Sequence, residues 1–496
     1  MNVSVAPVAS PFPSAEKPAE YRMYVDGEWT DGSAPGRVEV ENPANEQVIA
    51  TVPAGSPADA QRALEAAKRA QRAWAALPPI QRAAYVKDLA AAVARDKDRL
   101  ARVVTLEQGK PLNQAEGEIE AVVTFLTFAA EQARRIEGDI LPSDFPNEDV
   151  WIKRAPYGVV VGLTAWNYPA ALAARKIGPA LVAGNAIVVK GHESTPLSAL
   201  EIARLAHEVG LPKGVLNVIT GDGRAVGEAL VRSPLSDMIT MTGSNRAGRE
   251  IYAAGAEGMK VLRLELGGKA PFIVLDDADL DSAVEAAVTS RFTNCGQICT
   301  CNERMYVQEG VADRFLERFL DKVKGLRLAD PLTSPDMGPK VNRPEVEKVE
   351  AMVAEALSSG AELLAGGHRL RDGDFAKGHW FEPTVLRVDS NKIGVMQQEI
   401  FGPVVPFMTV KSFDEALAHA NDSRFGLSAY VYTNDLSKVM RLSRELDFGE
   451  LYVNRPNGEL VQGFHNGWNQ SGLGGEDGKY GFDGYMRKQT TYVRWS

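Results

Sequence analysis

Between residues 158 and 264 the chain alternates short apolar runs with helical segments, and this alternation constrains the fold more than any other feature. Each apolar run is ended by Gly, Ser, Asn or another polar residue, as is typical of strands buried on both faces. The predicted strands are residues 159–164, 186–189, 215–219, 238–241 and 261–264. A helix is predicted over residues 196–209. The pattern therefore predicts an α/β fold with a parallel sheet covered by helices.

Segments downstream of this region predict a second α/β unit, whereas the helical segments upstream are expected to pack on the first sheet. Upstream, Ala-rich and charged segments with helical spacing span residues 57–77, 79–108 and 112–137. Downstream, helices are predicted at 312–326, 343–360 and 412–420, and strands at 384–388 and 404–410. A length of 496 residues also exceeds that of one domain, roughly 100 to 200 residues. We expect at least two α/β units.

Composition and charge are those of an ordinary globular protein, with 45% hydrophobic and 24% charged residues. A net charge of −10 disfavours nucleic acid and anionic membranes as partners. The sequence has no apolar run of the length that spans a membrane, about 18 residues. Residues 1–20 are rich in Pro, Ala and Ser and lack the features of a secretory signal, so we expect a flexible tail there.

All three cysteines of the chain, Cys295, Cys299 and Cys301, lie close together in sequence. Such neighbours seldom meet the geometry of a disulfide, which favours a reducing, cytoplasmic location. A structural zinc site usually needs four ligands, and no histidine or second cysteine cluster is near in sequence. Inert buried thiols and a nucleophile presented from a glycine-containing loop both fit these residues.

A nucleophilic cysteine needs a base, and none of the six histidines lies in a recognisable cysteine–histidine motif. Glu265 is the alternative, because it ends an apolar strand, where burial would raise its pKa from about 4.3 towards neutrality. A solvated glutamate at a strand end would look the same. Asn167 follows another strand and could donate a hydrogen bond to a developing oxyanion, or could serve only its aromatic-rich turn.

Two features are of the kind that binds a dinucleotide. Lys190 ends a strand shortly before Glu193, and Gly243 with Ser244 opens a helix after another strand. N–H groups at a helix start can hold a pyrophosphate, and an acidic residue can accept from a ribose hydroxyl. Residues 221–223 miss the spacing of the dinucleotide fingerprint and are predicted to form a tight turn.

Taken together, these segments resemble the aldehyde dehydrogenase superfamily in identity, order and spacing. The matching segments are residues 164–169, Lys190 with Glu193, residues 243–248, 265–269, 296–299 and 399–403. The resemblance covers the chain from residues 24–27 to the final strand and leaves only the N-terminal tail unmatched. It favours the nucleophile interpretation of Cys299.

The resemblance implies a mechanism through a thioester. The Cys299 thiolate attacks the aldehyde carbon, and the oxyanion is held by the Asn167 amide and the Cys299 backbone N–H. Hydride then leaves for the nicotinamide, and Glu265 activates the water that hydrolyses the thioester. Lys176 is similar to a family lysine that assists proton movement.

The resemblance also implies a set of cofactor-binding residues and no metal. These residues are Trp166, Lys190, Glu193, Gly243, Ser244, Glu399 and Phe401. Glu193 would repel a 2′-phosphate, which favours NAD over NADP. The usual Lys-Pro-Ser-Glu is replaced by residues 190–193 with Gly191 and His192, which leaves NADP possible.

The implied architecture has a Rossmann-like cofactor domain, a catalytic α/β domain and a β-ribbon oligomerisation arm. The cofactor domain is expected at 21–137 and 157–263, the catalytic domain at 264–456, and the arm at 138–156 and 486–496. A substrate-site loop, 457–485, returns to the cofactor domain. An exposed ribbon with free edges needs covering by another chain, so a homodimer or homotetramer is implied.

Departures from the family pattern concern the substrate. Arg175 stands where a tryptophan is common, and residues 463–478 look like the lactaldehyde and glycolaldehyde dehydrogenase branch. Arg175 and His465 could hydrogen-bond a polar group beside the aldehyde, and Thr300 could reshape the pocket. An ion pair for Arg175 and a packed loop histidine remain the alternatives. A small polar aldehyde is the expected substrate.

Three other activities stay open at this point. The first is a dehydrogenase for succinate semialdehyde, betaine aldehyde or an aromatic aldehyde. The second is a non-catalytic NAD-binding protein on the same scaffold. A CoA-acylating enzyme is disfavoured, because that relative usually lacks the glutamate base and Glu265 is present.

Overall fold

The computed structural model describes residues 12–496. The part of the expected tail at residues 1–11 lies outside the described residues. Ala19–Glu20, at the other end of that tail, form a strand that pairs in parallel with Gln47–Pro53. Sheet pairing therefore begins before residue 21. Within residues 12–496, no helix combines the length and apolar character needed to cross a bilayer.

An eight-stranded sheet contains the five strands predicted between residues 158 and 264, each within one residue at its ends. Its strands, in spatial order, are Gly472–Leu473, Val261–Glu265, Met238–Thr242, Val159–Leu163, Ala186–Lys190, Leu216–Ile219, Met23–Val25 and Glu28–Thr30. The five central strands are parallel, which confirms the α/β prediction. Lys190, Leu163, Thr242 and Glu265 therefore end on one edge of the sheet.

A seven-stranded sheet forms the second α/β unit. In spatial order its strands are Glu362–Ala365, Thr384–Arg387, Val404–Val410, Asn302–Gln308, Ala270–Val274, Ser428–Tyr432 and Glu450–Val453. Its inner strands are almost completely buried, as expected for a parallel sheet covered on both faces, and the strand Asn302–Gln308 also buries the polar residues Asn302, Glu303 and Arg304. The remaining short strands pair elsewhere: Arg37–Asn42 with Gln47–Pro53, and Phe425–Gly426 with Trp468–Asn469.

Helices cover both sheets. The α-helices are Pro57–Ala76, Pro79–Arg95, Lys97–Gln108, Leu112–Glu131, Pro169–Ala183, Leu197–Glu208, Glu228–Arg232, Asn245–Ala256, Leu280–Phe292, Glu309–Lys324, Arg343–Ser358, Gly394–Gln397, Phe413–Asn421, Leu436–Glu445 and Gly478–Asp483. Shorter 3₁₀ turns are Gln132–Arg134, Thr293–Gly296, Pro331–Thr333 and Gly373–Phe375.

Three sequence predictions of helices and turns need correction. The single helix expected at 79–108 is interrupted at Asp96. The backbone of Asp96 is not helical (φ −94°, ψ 16°), and its carboxylate pairs with Arg95 and Arg204. The helix expected to reach residue 137 ends at Glu131 and continues as a 3₁₀ turn. The turn expected at 221–223 leads into a π-helix, Gly223–Gly227, because the Asp222 carboxylate accepts from two N–H groups at its start.

Two further segments complete the architecture. The arm is a three-stranded antiparallel sheet in which Glu148–Pro156 lies between Asp139–Pro142 and the C-terminal strand Met486–Arg494. The segment 457–485 returns to the eight-stranded sheet, since Gly472 pairs with Glu265. The expected division of the chain into domains, with its boundaries, stays a prediction.

Candidate active site

A cavity of about 460 Å³ lies where the carboxyl edge of the eight-stranded sheet meets the loop that carries Cys299. Most of the residues predicted for the site line it: Trp166, Asn167, Arg175, Gly243, Ser244, Glu265, Cys299, Thr300, Glu399, Phe401 and His465. Three of the predicted site residues do not line this cavity: Lys176, Lys190 and Glu193. The fold thus brings residues from distant parts of the sequence to one site.

The cysteine loop, residues 294–301, has an unusual backbone. Asn294, Cys295 and Gly296 have φ values of 51°, 57° and 68°, and such left-handed angles cost a non-glycine residue roughly 1 to 2 kcal/mol. A Cβ on Gly296 would lie 2.3 Å from the Gly402 carbonyl oxygen, so only glycine fits there. Arg291 holds the loop from below by donating to the carbonyls of Gly296 and Asn302, both at 2.8 Å.

This backbone separates the three thiols by accessibility. Cys295 and Cys301 are buried, and burial raises the pKa of each thiol to about 12. Cys299 is partly exposed to the cavity. Burial raises its pKa too, but a hydrogen bond with His465 and the charge of that ring oppose the shift. Among residues 12–496, the one group with metal-ligand geometry is Glu450, Glu459 and His465, which contains no cysteine.

Asn167 is fixed beside the cysteine loop by a second set of contacts. The side-chain Nδ2 of Asn167 donates to the backbone carbonyl of Gln297 at 3.0 Å. The backbone carbonyl of Asn167 accepts from Asn294 Nδ2, also at 3.0 Å. The amide carries a second hydrogen, which is left for a ligand in the cavity. The Asn167 carbonyl also accepts from the buried Lys110, at 2.8 Å, whose ammonium is paired with Glu118 at 2.6 Å.

Glu265 is the last residue of its strand and is only 3% exposed. Burial raises its pKa to about 8, with His465 opposing that shift and Glu476 adding to it. Neither carboxylate oxygen has a hydrogen-bond partner among the described residues. A buried carboxyl of this kind exchanges a proton near neutral pH and can take one from water.

His465 faces three carboxylates. Its Nδ1 lies 3.0 Å from Glu450 and 3.7 Å from Glu459, and its Nε2 lies 3.5 Å from Glu265. Burial disfavours the charged ring, but Glu459, Glu265 and Glu450 outweigh it and raise the pKa of His465 well above its usual value. The three carboxylates therefore favour the charged form of the His465 ring.

Arg175 lines the cavity and is also ion-paired. Its guanidinium binds the carboxylate of Asp477 through Nε, at 2.9 and 3.0 Å, and through Nη2, and it lies 3.5 Å from Glu459. The ion-pair alternative weighed for Arg175 is thus present in the structure, together with its position on the cavity wall. We call Arg175, Glu459 and His465 the polar wall.

Lys176 follows Arg175 on the same helix but points to a different partner. Its ammonium, fully buried, binds Glu476 at 2.6 Å and Thr242 Oγ1 at 2.8 Å. Burial disfavours the charged form of Glu476, but Lys176 and Arg175 outweigh it and lower its pKa to about 2. Lys176 thus reaches the strand end next to Glu265.

The other end of the cavity is aromatic and acidic. Trp166 and Phe401 meet edge to face at 5.2 Å, and the buried ammonium of Lys340 lies 5.5 Å from the Trp166 ring. Glu399 accepts from the Gly268 N–H at 2.7 Å, and burial raises its pKa to about 7. Ser244 caps the helix Asn245–Ala256 by accepting from Ala247 N.

Lys190 and Glu193 lie at the end of a neighbouring strand and form an ion pair of 2.9 Å. His192 joins them, with Nε2 at 3.6 Å from the Glu193 carboxylate. Glu193 keeps a third of its side chain exposed. An acidic group of this kind can accept hydrogen bonds from a ribose.

Several residues at the site were not given a role from the sequence. Four of them are acidic residues that pair with Arg175 or His465, and all but the first fall inside the expected substrate-site loop: Glu450, Glu459, Glu476 and Asp477. Lys340 supports the aromatic pair. Their signal in the sequence is only that of charged residues in loops, since burial and pairing are set by tertiary structure.

Comparisons with known proteins find matches over nearly the whole chain. The model of the aldehyde dehydrogenase family matches residues 29–491. The 3,6-anhydro-alpha-L-galactose dehydrogenase of Vibrio sp. (strain EJY3) is 49% identical over 476 residues, covering 96% of this chain and 99% of that protein. The lactaldehyde dehydrogenase of Escherichia coli (strain K12) is 40% identical over 479 residues, with 96% and 99% covered.

A solved structure shows the same fold. The structure of a 3,6-anhydro-L-galactose dehydrogenase in complex with NADP has a TM-score of 0.94 and 49% identity, and the match covers 96% of this chain and 100% of that one. The sequence resemblance, the fold class and the dependence on a pyridine dinucleotide are confirmed by these matches. The chain belongs to the aldehyde dehydrogenase family and is an NAD(P)-dependent oxidoreductase that acts on aldehydes.

Proposed function

We propose that this enzyme oxidises short aldehydes that carry a hydroxyl or another oxygen next to the aldehyde carbon, of the lactaldehyde and glycolaldehyde type. The observation that carries the proposal is the polar wall, which lines the same cavity as Cys299 and Glu265. The names of the relatives support it, because lactaldehyde and a sugar-derived aldehyde both have oxygen substituents.

The polar wall offers a donor and an acceptor side by side. The charged ring of His465 can donate to a substrate oxygen, and the Glu459 carboxylate can accept from a hydroxyl. A site built to bind a hydroxyl rejects an analogue without one, because its buried polar groups are then left without partners.

The charges of the cavity disfavour two of the other aldehydes considered, succinate semialdehyde and betaine aldehyde. The lining cations Arg175, His465 and Lys348 each face a carboxylate: Asp477, Glu459 and Glu345, respectively. A second carboxylate, as in succinate semialdehyde, would have to displace one of these partners. A quaternary ammonium, as in betaine aldehyde, would lie against the cations Arg175 and His465.

The chemistry follows from Cys299, Asn167 and Glu265. The Cys299 thiolate attacks the aldehyde carbon, and the resulting oxyanion accepts hydrogen bonds from Asn167 Nδ2 and the Cys299 backbone N–H. Bound NAD(P)⁺ supplies the hydride acceptor. Glu265 takes a proton from the water that attacks the thioester, which releases the carboxylate product and restores the thiolate. Lys176 and its partner Glu476 lie beside this base and support the proton movement.

The residues at the aromatic end fit a pyridine dinucleotide. The start of the helix Asn245–Ala256 carries no acidic residue in its first turn and can hold a phosphate through Gly243 and Ser244. Trp166, Glu399 and Phe401 would hold the nicotinamide and its ribose, and Lys190 and Glu193 the adenine ribose. Glu193 favours NAD over NADP, because its charge opposes a 2′-phosphate.

We also propose a cytoplasmic homodimer or homotetramer. Three free cysteines suit a reducing compartment. On the outer strand of the arm, Ile140 and Leu141 are 73% and 45% exposed. An apolar edge strand of this kind needs a covering chain. Light scattering after size exclusion would measure the oligomer, and a monomer would contradict this part.

A panel of aldehydes with both cofactors tests the substrate assignment. We expect lactaldehyde and glycolaldehyde to give the highest kcat/KM, with succinate semialdehyde, betaine aldehyde and benzaldehyde at least about 10-fold lower. The reverse ranking would overturn the assignment. NADH formation with none of these aldehydes, in a protein that binds NAD, would instead favour the non-catalytic alternative.

A further inference from the structure

Glu303 is a buried carboxylate that contacts three parts of the active site without reaching the cavity. It is 1% exposed and lies in the strand Asn302–Gln308, which directly follows the cysteine loop. Its oxygens lie 2.7 Å from Lys269 Nζ and 3.2 Å from Arg291 Nη1. They also accept from the backbone N–H groups of Ile400 and Phe401, at 2.8 and 2.9 Å.

The contact with Arg291 leads to the nucleophile. Arg291 donates to the carbonyls of Gly296 and Asn302 and so spans the cysteine loop from one side to the other. Gly296 has a φ of 68°. A guanidinium that is aligned by a carboxylate can hold such a backbone in place, since both partners are fixed by several bonds.

The contacts with Ile400 and Phe401 lead to the other end of the cavity. Residues 399–401, which we call the cofactor turn, include Phe401 in a left-handed conformation with a φ of 55°. The Glu303 carboxylate accepts a hydrogen bond from the Phe401 backbone N–H, and Lys340 donates to the Phe401 carbonyl oxygen. Glu399, the first residue of the turn, accepts from Gly268, the residue before Lys269.

We propose that Glu303 is a positioning residue that fixes the cofactor turn and the cysteine loop relative to each other, so that hydride donor and acceptor meet in register. The inference rests on the proposed function, which places Glu399 and Phe401 on the cofactor. Displacement of either partner by about 1 Å is enough to slow such a reaction strongly.

The charge of Glu303 is part of this role. Burial disfavours the ionised carboxylate, but Lys269 and Arg291 outweigh it and lower its pKa to about 2. The group therefore stays ionised throughout the working pH range. A neutral side chain of the same shape would keep acceptor geometry on one oxygen only and would leave two buried cations without their counter-charge.

The test uses Glu303→Gln in the full-length enzyme and two readouts that need no aldehyde. The first is the Kd for NAD by calorimetry, and the second is the rate at which iodoacetamide alkylates Cys299, with Cys299→Ala giving the background. We expect Glu303→Gln to raise the Kd about 10-fold and to slow alkylation by a similar factor. Glu303→Asp, which keeps the charge, should recover part of both.

Lys340→Met is the matched control, because Lys340 Nζ donates to the Phe401 carbonyl of the cofactor turn and, within residues 12–496, has no hydrogen bond to the cysteine loop. It should weaken NAD binding and leave alkylation close to the wild-type rate. The inference is overturned if Glu303→Gln changes only one readout, or changes neither. Circular dichroism reports whether Glu303→Gln folds. If it does not fold, Glu303→Asp becomes the decisive variant. Wild-type values of both readouts in Glu303→Asp would then overturn the inference. Failure of the aldehyde panel would leave both readouts intact, so the two proposals can fail separately.

Discussion

Nε2 of His465 lies 3.5 Å from Oε2 of Glu265, while Nδ1 of the same ring lies 3.0 Å from Glu450. The His465 ring thus lies between the predicted base and a second carboxylate, and these carboxylates favour its charged form. This arrangement links substrate recognition to the acidity of Glu265, because the ring that can hold the substrate oxygen also opposes the rise in the Glu265 pKa.

His465→Phe should therefore change the pH dependence of turnover. Burial raises the Glu265 pKa to about 8, so the basic form grows as pH rises through that value and kcat rises with it. Removing the imidazolium removes a charge that lowers this pKa, and the rise in kcat should move to higher pH by about 1 unit. Steady-state kcat measured across the pH range with saturating lactaldehyde checks the shift. A superimposable profile would show that Glu265 does not limit kcat or does not respond to His465.

Glu265→Gln should separate the two halves of the reaction. Thioester formation needs Cys299, but hydrolysis needs the base, so rapid mixing should give a burst of about one NADH per subunit followed by turnover slowed at least about 100-fold. Cys299→Ala should give no burst, and Cys301→Ala, at a buried neighbouring thiol, should keep turnover. Steady turnover in Glu265→Gln would mean that another group activates the water.

Lys110→Met should destabilise the protein and slow catalysis together. Lys110 and Glu118 are both fully buried in the core, and loss of one partner leaves an uncompensated charge at a cost of about 3 to 5 kcal/mol. The Asn167 carbonyl also loses a donor. Urea denaturation measures the free energy of unfolding. Lys392→Met removes an exposed ion pair and should cost less than about 1 kcal/mol; equal effects of the two variants would contradict the account.

Glu193→Gln should relax the choice of cofactor. The carboxylate is paired with Lys190 at 2.9 Å and would repel a 2′-phosphate. Without its charge, Lys190 becomes available to an anion, and the ratio of kcat/KM for NADP to that for NAD should rise about 10-fold. Initial rates with both cofactors at fixed aldehyde measure this ratio. A wild-type enzyme that already prefers NADP would contradict the role given to Glu193.

The central strands and the predicted catalytic residues could be predicted from the sequence, because both depend on local sequence patterns. Apolar runs ended by polar residues located the five central strands to within one residue. The ordered motifs around Cys299, Glu265 and Asn167 indicated the family. The break at Asp96 was missed, since the segment keeps helical spacing on both sides and only the tertiary contact with Arg204 marks the end.

The environment of Arg175 was the harder problem. Its charge and position predicted a polar cavity, but its partner Asp477 lies far along the chain and becomes a neighbour only through the return of segment 457–485. The same holds for Glu303, whose partners Lys269, Arg291 and Phe401 come from three separate segments. Pairing of charges across a fold leaves no periodic signal in the sequence.

The comparison of lactaldehyde with propanal tests the central claim most directly, because the two differ only in the hydroxyl that the polar wall is proposed to bind. We predict that wild-type kcat/KM favours lactaldehyde by at least about 10-fold, and that Glu459→Gln with His465→Phe reduces this preference to less than about 2-fold. Equal kcat/KM for both aldehydes in the wild type, or a preference that survives the double substitution, would contradict the proposed specificity.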